Sequence, residues 1–106
     1  FEGVVREFSR SGRAVTHLEY EAYGEMAIAK MAEIAAEIGQ RWELDHVAIT
    51  HRVGKLAVGE ASVVIAVASP HRREAFDACE YAIDRLKEIA PIWKKEIGPD
   101  GESWVE

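Results

Sequence analysis

Hydrophobic positions along the chain switch between a period of two and a period near 3.6, and the switches mark its elements. Phe1 to Glu7 is apolar around the β-branched pair Val4-Val5 and predicts a first strand. "SRSGR", Ser9 to Arg13, predicts a polar loop with Gly12 as its turn residue. Ala14 to Glu21 alternates and predicts a second strand, with Val15, His17, Glu19 and Glu21 on one face and Thr16, Leu18 and Tyr20 on the other. Gly24 to Trp42 is rich in good helix formers. Ile28, Met31, Ala35 and Ile38 form its apolar stripe, and Gly39 is placed to end it.

The second half repeats the alternation of types. His46 to Val53 predicts a third strand, and "GKLAVGE", with Gly54 and Gly59, reads as a hairpin connection. Ala61 to Ala68 is apolar enough for a central fourth strand. Ser69 as N-cap and Pro70 at the first helical position predict a second helix running to about Ala90, where Pro91 stops it. Its expected stripe is Ala75, Phe76, Cys79, Ile83, Leu86 and Ala90. Ile92 to Ile97 predicts a fifth strand, "GPDG" a turn, and Ser103 to Glu106 a last short strand. The order ββαββαββ predicts the α+β class: two helices packed on a mixed or antiparallel sheet, in a single domain over residues 1–106. Neither a repeat nor a linker interrupts it.

Composition narrows the function. The 106 residues are 48% hydrophobic and 30% charged, as in a globular domain with one core. The longest apolar run, Val63 to Ala68, has the length of a strand, and no run approaches the ~20 residues of a membrane helix. A net charge of −6 argues against a general nucleic-acid binder, which needs a basic face, but leaves room for a small anionic ligand at a local cluster. The single cysteine, Cys79, allows no intrachain disulfide and fits a reducing cytoplasm. It also excludes a cysteine-based zinc site, and His46 and His51 fall on opposite faces of their strand, so neither a metal nor a cofactor is expected. The chain starts at Phe1 without a methionine, which reads as a trimmed N-terminus or as first residues that are disordered.

The basic residues are the candidates for chemistry. His71 and Arg72 fall in the first helical turn after Pro70, at the positive end of the helix dipole. Cations there are disfavoured unless an anion accompanies them, so the pair marks a phosphate or carboxylate site, the alternative being a solvated first turn. Lys87 lies in the last turn of the same helix, where lysine also serves the dipole. On the strand after Pro91, Lys94 shares a face with Ile92 and Glu96, and Lys95 with Trp93 and Ile97. An edge strand protected by lysines is the plain alternative there. Arg6 ends the first strand, beside the loop that carries Arg10 and Arg13. Cys79 reads as a small buried hydrophobe, and Trp42, Trp93 and Trp104 as core or interface residues.

Three stretches together resemble a known family. "HRVGKLAVGE", "SPHRREAFDACEYAIDRLKEIAPIWKKE" and "DGESWVE" look like the catalytic (large) subunit of molybdopterin synthase, the MoaE family, and the resemblance runs from "FEGVVR" through "VTHLEYEAY" to the end. A further N-terminal segment of the family is absent. The resemblance implies the family's α/β-hammerhead-type fold. It also implies a sulfurtransferase that converts cyclic pyranopterin monophosphate (precursor Z) into molybdopterin. The sulfur is expected from the thiocarboxylated C-terminal Gly-Gly of a small ubiquitin-like subunit. A homodimer of large subunits within a heterotetramer is implied as well. Carried over by position, the catalytic residues are Lys87 and Lys94, and the substrate-binding set is Val4, Val5, Arg6, His71, Arg72, Lys87, Lys94, Lys95 and Glu96. Glu7 and Phe8 stand where the family often has a polar, Asn-containing stretch.

The residues agree with that reading on their own terms. A cyclic phosphate suits His71, Arg72 and Arg6 as charge-assisted donors. Because the one thiol reads as buried, sulfur must come from a partner. Two adjacent lysines lower each other's affinity for protons, so one can serve as base or nucleophile while the other stabilises an oxyanion. A non-catalytic binding or assembly module of the same fold is the alternative; intact Lys87 and Lys94 favour the enzyme. A ferredoxin-like regulatory domain would fit the element order but leaves the basic constellation unexplained.

Overall fold

In a computed structural model describing residues 1–105, the chain runs β1 (Glu2–Val4), β2 (His17–Ala22), α1 (Gly24–Trp42), β3 (Val47–His51), β4 (Gly54–Ala57), β5 (Ala61–Val67), α2 (Arg72–Ile89), β6 (Ile92–Gly98) and β7 (Gly101–Val105). The α+β class holds, and the strands divide into two antiparallel sheets, ordered β1-β5-β3 and β4-β2-β6-β7. The additional strand is β4, cut from the stretch expected to be a plain connection. Four residues are too few for alternation to reveal a strand; the fully buried Leu56, opposite Leu18, anchors it. Glu106, the end of the expected last strand, lies outside the described residues.

The chain forms two compact units. The first comprises Phe1, Tyr23–Thr50 and Val64–Pro91, and so holds both helices. Its core is Ala27, Ile34 and Ile38 of α1, Ile65 of β5, Leu44, and Ala78, Ala82 and Leu86 of α2. Both helices are turned from the expected stripes: Ile28 is 66% exposed and Phe76 is 70% exposed. Alanines occur all round these helices, so the sequence does not single out one face. The packing centre falls on small residues, Ala78 and Ala82, rather than on the largest ones.

A polar clamp joins the two helices. The Glu37 carboxylate accepts Arg85 Nε–H and Nη2–H at 2.9 Å each and the Tyr81 hydroxyl at 2.5 Å. Trp42 meets Tyr81 edge-on at 5.5 Å, and the Arg41 guanidinium lies 4.6 Å from the Tyr81 ring centre. The hydrogen bonds from Arg85, then from Tyr81, hold the Glu37 carboxyl at a pKa of about 2, below the usual carboxylate range.

Helix ends depart from expectation in two places. Gly39 does not end α1; the helix continues to Trp42, and Glu43 takes the left-handed cap at φ 55°. A Cβ on Gly39 would stand 3.1 Å from the Leu44 carbonyl, so the glycine serves a close approach instead. α2 begins at Arg72, with His71 as N-cap in extended conformation, later than Ser69-Pro70 suggested. Ser69 Oγ accepts the His71 N–H at 3.3 Å and so orders the lead-in without capping the helix.

The second unit comprises Glu2–Ala22, His51–Val63 and the chain from Ile92 onward. Val5, Val15, Leu18 and Leu56 form its core, with Tyr20 packed against them. β2 is the central strand, pairing antiparallel with β4 on one side and β6 on the other, and β7 closes the sheet beyond β6. Gly98, the last residue of β6, leaves room for a backbone contact: a Cβ there would collide with the Ala14 carbonyl oxygen.

Candidate active site

The candidates divide between the units. The first unit carries His71, Arg72 and Lys87; the second carries Val4, Val5, Arg6, Lys94, Lys95 and Glu96.

Within the first unit, α2 places its candidates at opposite ends. His71 is the N-cap and Arg72 the first helical residue, both exposed. Lys87 is exposed in the last turn. The helix is continuous from Arg72 to Ile89, so the sixteen residues from His71 to Lys87 separate their backbones by roughly 24 Å at 1.5 Å per residue. The structure therefore brings His71 and Arg72 together and holds Lys87 apart from them.

Within the second unit, Val5 is a core residue, 2% exposed. Its N–H donates to the Glu60 carbonyl and its own carbonyl accepts the Gly59 N–H, each at 2.9 Å. Val5 thus serves as the fixed base from which the exposed Arg6 projects, while the Val4 side chain is exposed. The β6 register settles the strand phase. Lys94 lies opposite Tyr20 and Glu96 opposite Leu18, so both share the face that carries the core residues of β2. Lys95 lies opposite Glu19 on the other face. There its Nζ is 3.4 Å from Glu102 and 3.9 Å from Glu19, and 5.3 Å from the Trp104 ring centre.

Some cations of the chain are held by carboxylates, and others, Arg10, Arg13, Lys55 and Arg73 among them, form no ion pair among the described residues. Arg52 is paired with Glu60 at 3.1 Å, Arg85 with Glu37 at 2.9 Å, and Lys95 with Glu102 and Glu19. The side chains of Arg6, His71, Arg72 and Lys87 form no ion pair and no hydrogen bond among the described residues. Exposed, uncompensated cations near a helix start suit recognition of an anion such as a phosphate.

Two features of the surroundings were not legible in the sequence. His51 packs edge-on against Tyr20 at 4.9 Å and donates from Nδ1 to the Arg52 carbonyl at 2.6 Å. Burial pushes its imidazole below the ordinary histidine pKa. The clamp of Glu37, Tyr81 and Arg85 is the other; in the sequence its only trace is the spacing of Tyr81 and Arg85, one turn apart. Cys79 is half-buried rather than fully buried, its Sγ 3.9 Å from the Ile65 carbonyl.

Comparison with known proteins agrees across the chain. The profile of the family described as "MoaE protein" matches residues 1–89. A molybdopterin synthase catalytic subunit of Bacillus subtilis is 57% identical over 105 residues, which cover 99% of this chain and 66% of the relative. That of Halalkalibacterium halodurans is 52% identical over 105 residues, covering 99% and 67%. The chain thus spans about two thirds of the length of these relatives. The crystal structure of molybdopterin synthase from Staphylococcus aureus superposes with a TM-score of 0.94 at 50% identity, covering 100% of this chain and 77% of that one. A complex of subunits 1 and 2 of the molybdopterin-converting factor from Helicobacter pylori shares the fold, with a TM-score of 0.79 at 19% identity.

Proposed function

We infer that this chain, which belongs to the MoaE family, acts as the catalytic subunit of a molybdopterin synthase. The substrate is cyclic pyranopterin monophosphate, and the sulfur donor is the thiocarboxylated Gly-Gly terminus of a small ubiquitin-like subunit. No described helix is long and apolar enough to cross a membrane.

The observation that carries the reading is the agreement of family and fold along the chain, and the unpaired cations are consistent with it. Arg85 and Lys95 are held by carboxylates, whereas Arg6, His71, Arg72 and Lys87 are open to an external anion. His71, Arg72 and Arg6 supply charge-assisted donors to the phosphate. Lys87 and Lys94 serve the reacting carbons, moving protons and stabilising oxyanions as the sulfurs are installed. The chain's own thiol takes no part. A glycine-ended tail reaches the lysines in extended form because it has no side chains to obstruct a narrow approach.

The unbroken helix supports a pocket assembled from two copies. Ends roughly 24 Å apart do not close around one small pterin within a chain. The pocket on this reading is composite: Lys87 from one copy, His71 and Arg72 from a second, with two pockets per two-fold dimer. Incubation with thiocarboxylated small subunit and cyclic pyranopterin monophosphate, assayed for dithiolene, tests the reading. Product is expected from the wild-type chain, and absence of product from a folded, partner-bound chain would refute it.

A further inference from the structure

The stretch "HRVGKLAVGE", His51 to Glu60, has no part in the chemistry above, yet its side chains are closely bonded. Arg52 Nη1–H donates to Glu60 Oε2 at 3.1 Å, and the other carboxylate oxygen, Oε1, accepts the Ala57 N–H at 2.7 Å. The Glu60 N–H donates to the Ala57 carbonyl at 3.1 Å and closes a tight turn, with Gly59 at φ 89°. Arg52 is itself fixed: its N–H donates to the Ser62 carbonyl at 2.8 Å, and its carbonyl accepts His51 Nδ1–H at 2.6 Å. The hydrogen bond from the Ala57 N–H, then that from Arg52, holds the Glu60 carboxyl below the usual carboxylate range, so it stays a charged acceptor.

This turn grips the base of Arg6. β1 ends at Val4, so Arg6 lies beyond the strand. Both backbone groups of Val5 are held by the turn, the N–H by the Glu60 carbonyl and the carbonyl by the Gly59 N–H. On the far side of Arg6, the Glu7 carbonyl accepts the Val15 N–H at 2.9 Å. An arginine side chain has many rotamers, so its guanidinium is delivered to one place only from a fixed backbone. We propose that Glu60, braced by Arg52, is a positioning residue for Arg6. It fixes the turn, the turn fixes Val5, and Val5 sets where the Arg6 guanidinium meets the phosphate of the substrate. The inference rests on the reading above, in which Arg6 donates to that phosphate. Stability alone is a poor account of the brace, because both side chains are half-exposed and an exposed ion pair contributes little.

A double-mutant cycle on KM tests the proposal, in the complex with thiocarboxylated small subunit. Glu60→Ala should raise the KM for cyclic pyranopterin monophosphate about tenfold and change kcat less than about threefold, the pattern of lost substrate binding rather than lost chemistry. Glu60→Gln keeps an oxygen for the Ala57 N–H and should recover most of the affinity. Arg6→Ala should by itself raise KM about tenfold or more, as for loss of a charged donor. In that background Glu60→Ala should change KM less than about twofold, because the two residues act through one contact. Arg52→Ala removes only the exposed ion pair; it should raise KM about threefold with Arg6 present and leave it unchanged without, and it carries the test if Glu60→Ala does not fold.

Equal KM effects with and without Arg6 overturn the proposal, as does an unchanged KM in folded Glu60→Ala and Arg52→Ala chains. A wild-type KM in Arg6→Ala overturns it as well. Failure of this inference is distinguishable from failure of the proposed function. With wild-type dithiolene formation intact, an additive cycle removes the positioning role alone; a wild-type chain that forms no product removes the function itself.

Discussion

Lys87 and Lys95 show how little a residue's type says about its role. Both are lysines of a basic-looking C-terminal region, but Lys95 is tied to Glu102 and Glu19, and Lys87 is exposed without an ion pair among the described residues. Lys87→Ala should abolish dithiolene formation while costing only about 0.3–1 kcal/mol of stability, the worth of a lysine at a helix C-terminus. Turnover close to wild type would remove Lys87 from the chemistry. Lys94→Ala should lower the rate far more than Lys95→Ala, since β6 turns the two to opposite faces and only Lys94 shares a face with Tyr20 and Leu18. Side-by-side rates of the two variants check this, and a greater loss at Lys95 would contradict it. The strand phase behind this contrast was legible in the sequence, because alternation on a strand is strict. Helix phase was not: alanines on every side of α2 let Phe76 pass for a core residue, and only packing shows that Ala78 and Ala82 hold that place.

At the level of elements, the α1–α2 clamp makes stability depend on pH. Glu37 has a pKa of about 2 in the folded chain, against an ordinary value of 4.5. A depressed carboxylate stabilises the fold fully above its unfolded pKa and progressively less as pH falls toward the folded one. Urea midpoints should therefore fall between about pH 4.5 and pH 2 in the wild type, and less steeply in Glu37→Gln. Equal slopes would show that the clamp does not govern acid sensitivity. Gly98 makes a sharper case. Gly98→Ala should cost about 1–3 kcal/mol in urea unfolding, since the new methyl meets a backbone oxygen that cannot move aside without shifting its strand. The helices and most strands were legible from periodicity, although Gly39 was expected to end α1 before its observed end at Trp42. β4 and the late start of α2 were not, because each depends on pairing or capping with residues distant in sequence or on backbone conformation.

At the level of the whole molecule, the proposed catalytic assembly exceeds one chain. The sequence placed cations at His71, Arg72 and Lys87, and the spacing along a single helix already implied that they could not share a pocket within one copy. The structure adds that α2 is continuous over Arg72–Ile89, which removes the possibility of a break between them. What the sequence did not reveal is which flank of α2 is left uncovered, since that follows from where α1 packs. The central claim is a sulfur-transfer pocket completed by two copies, and its most direct test is complementation. Lys87→Ala and Arg72→Ala chains, each inactive alone, are mixed, allowed to exchange and assayed for dithiolene formation with thiocarboxylated small subunit. Random exchange puts half of the chains in mixed dimers, each with one intact pocket of two, so activity should return to about a quarter of wild type. Mixed dimers verified by mass that remain inactive would contradict the account.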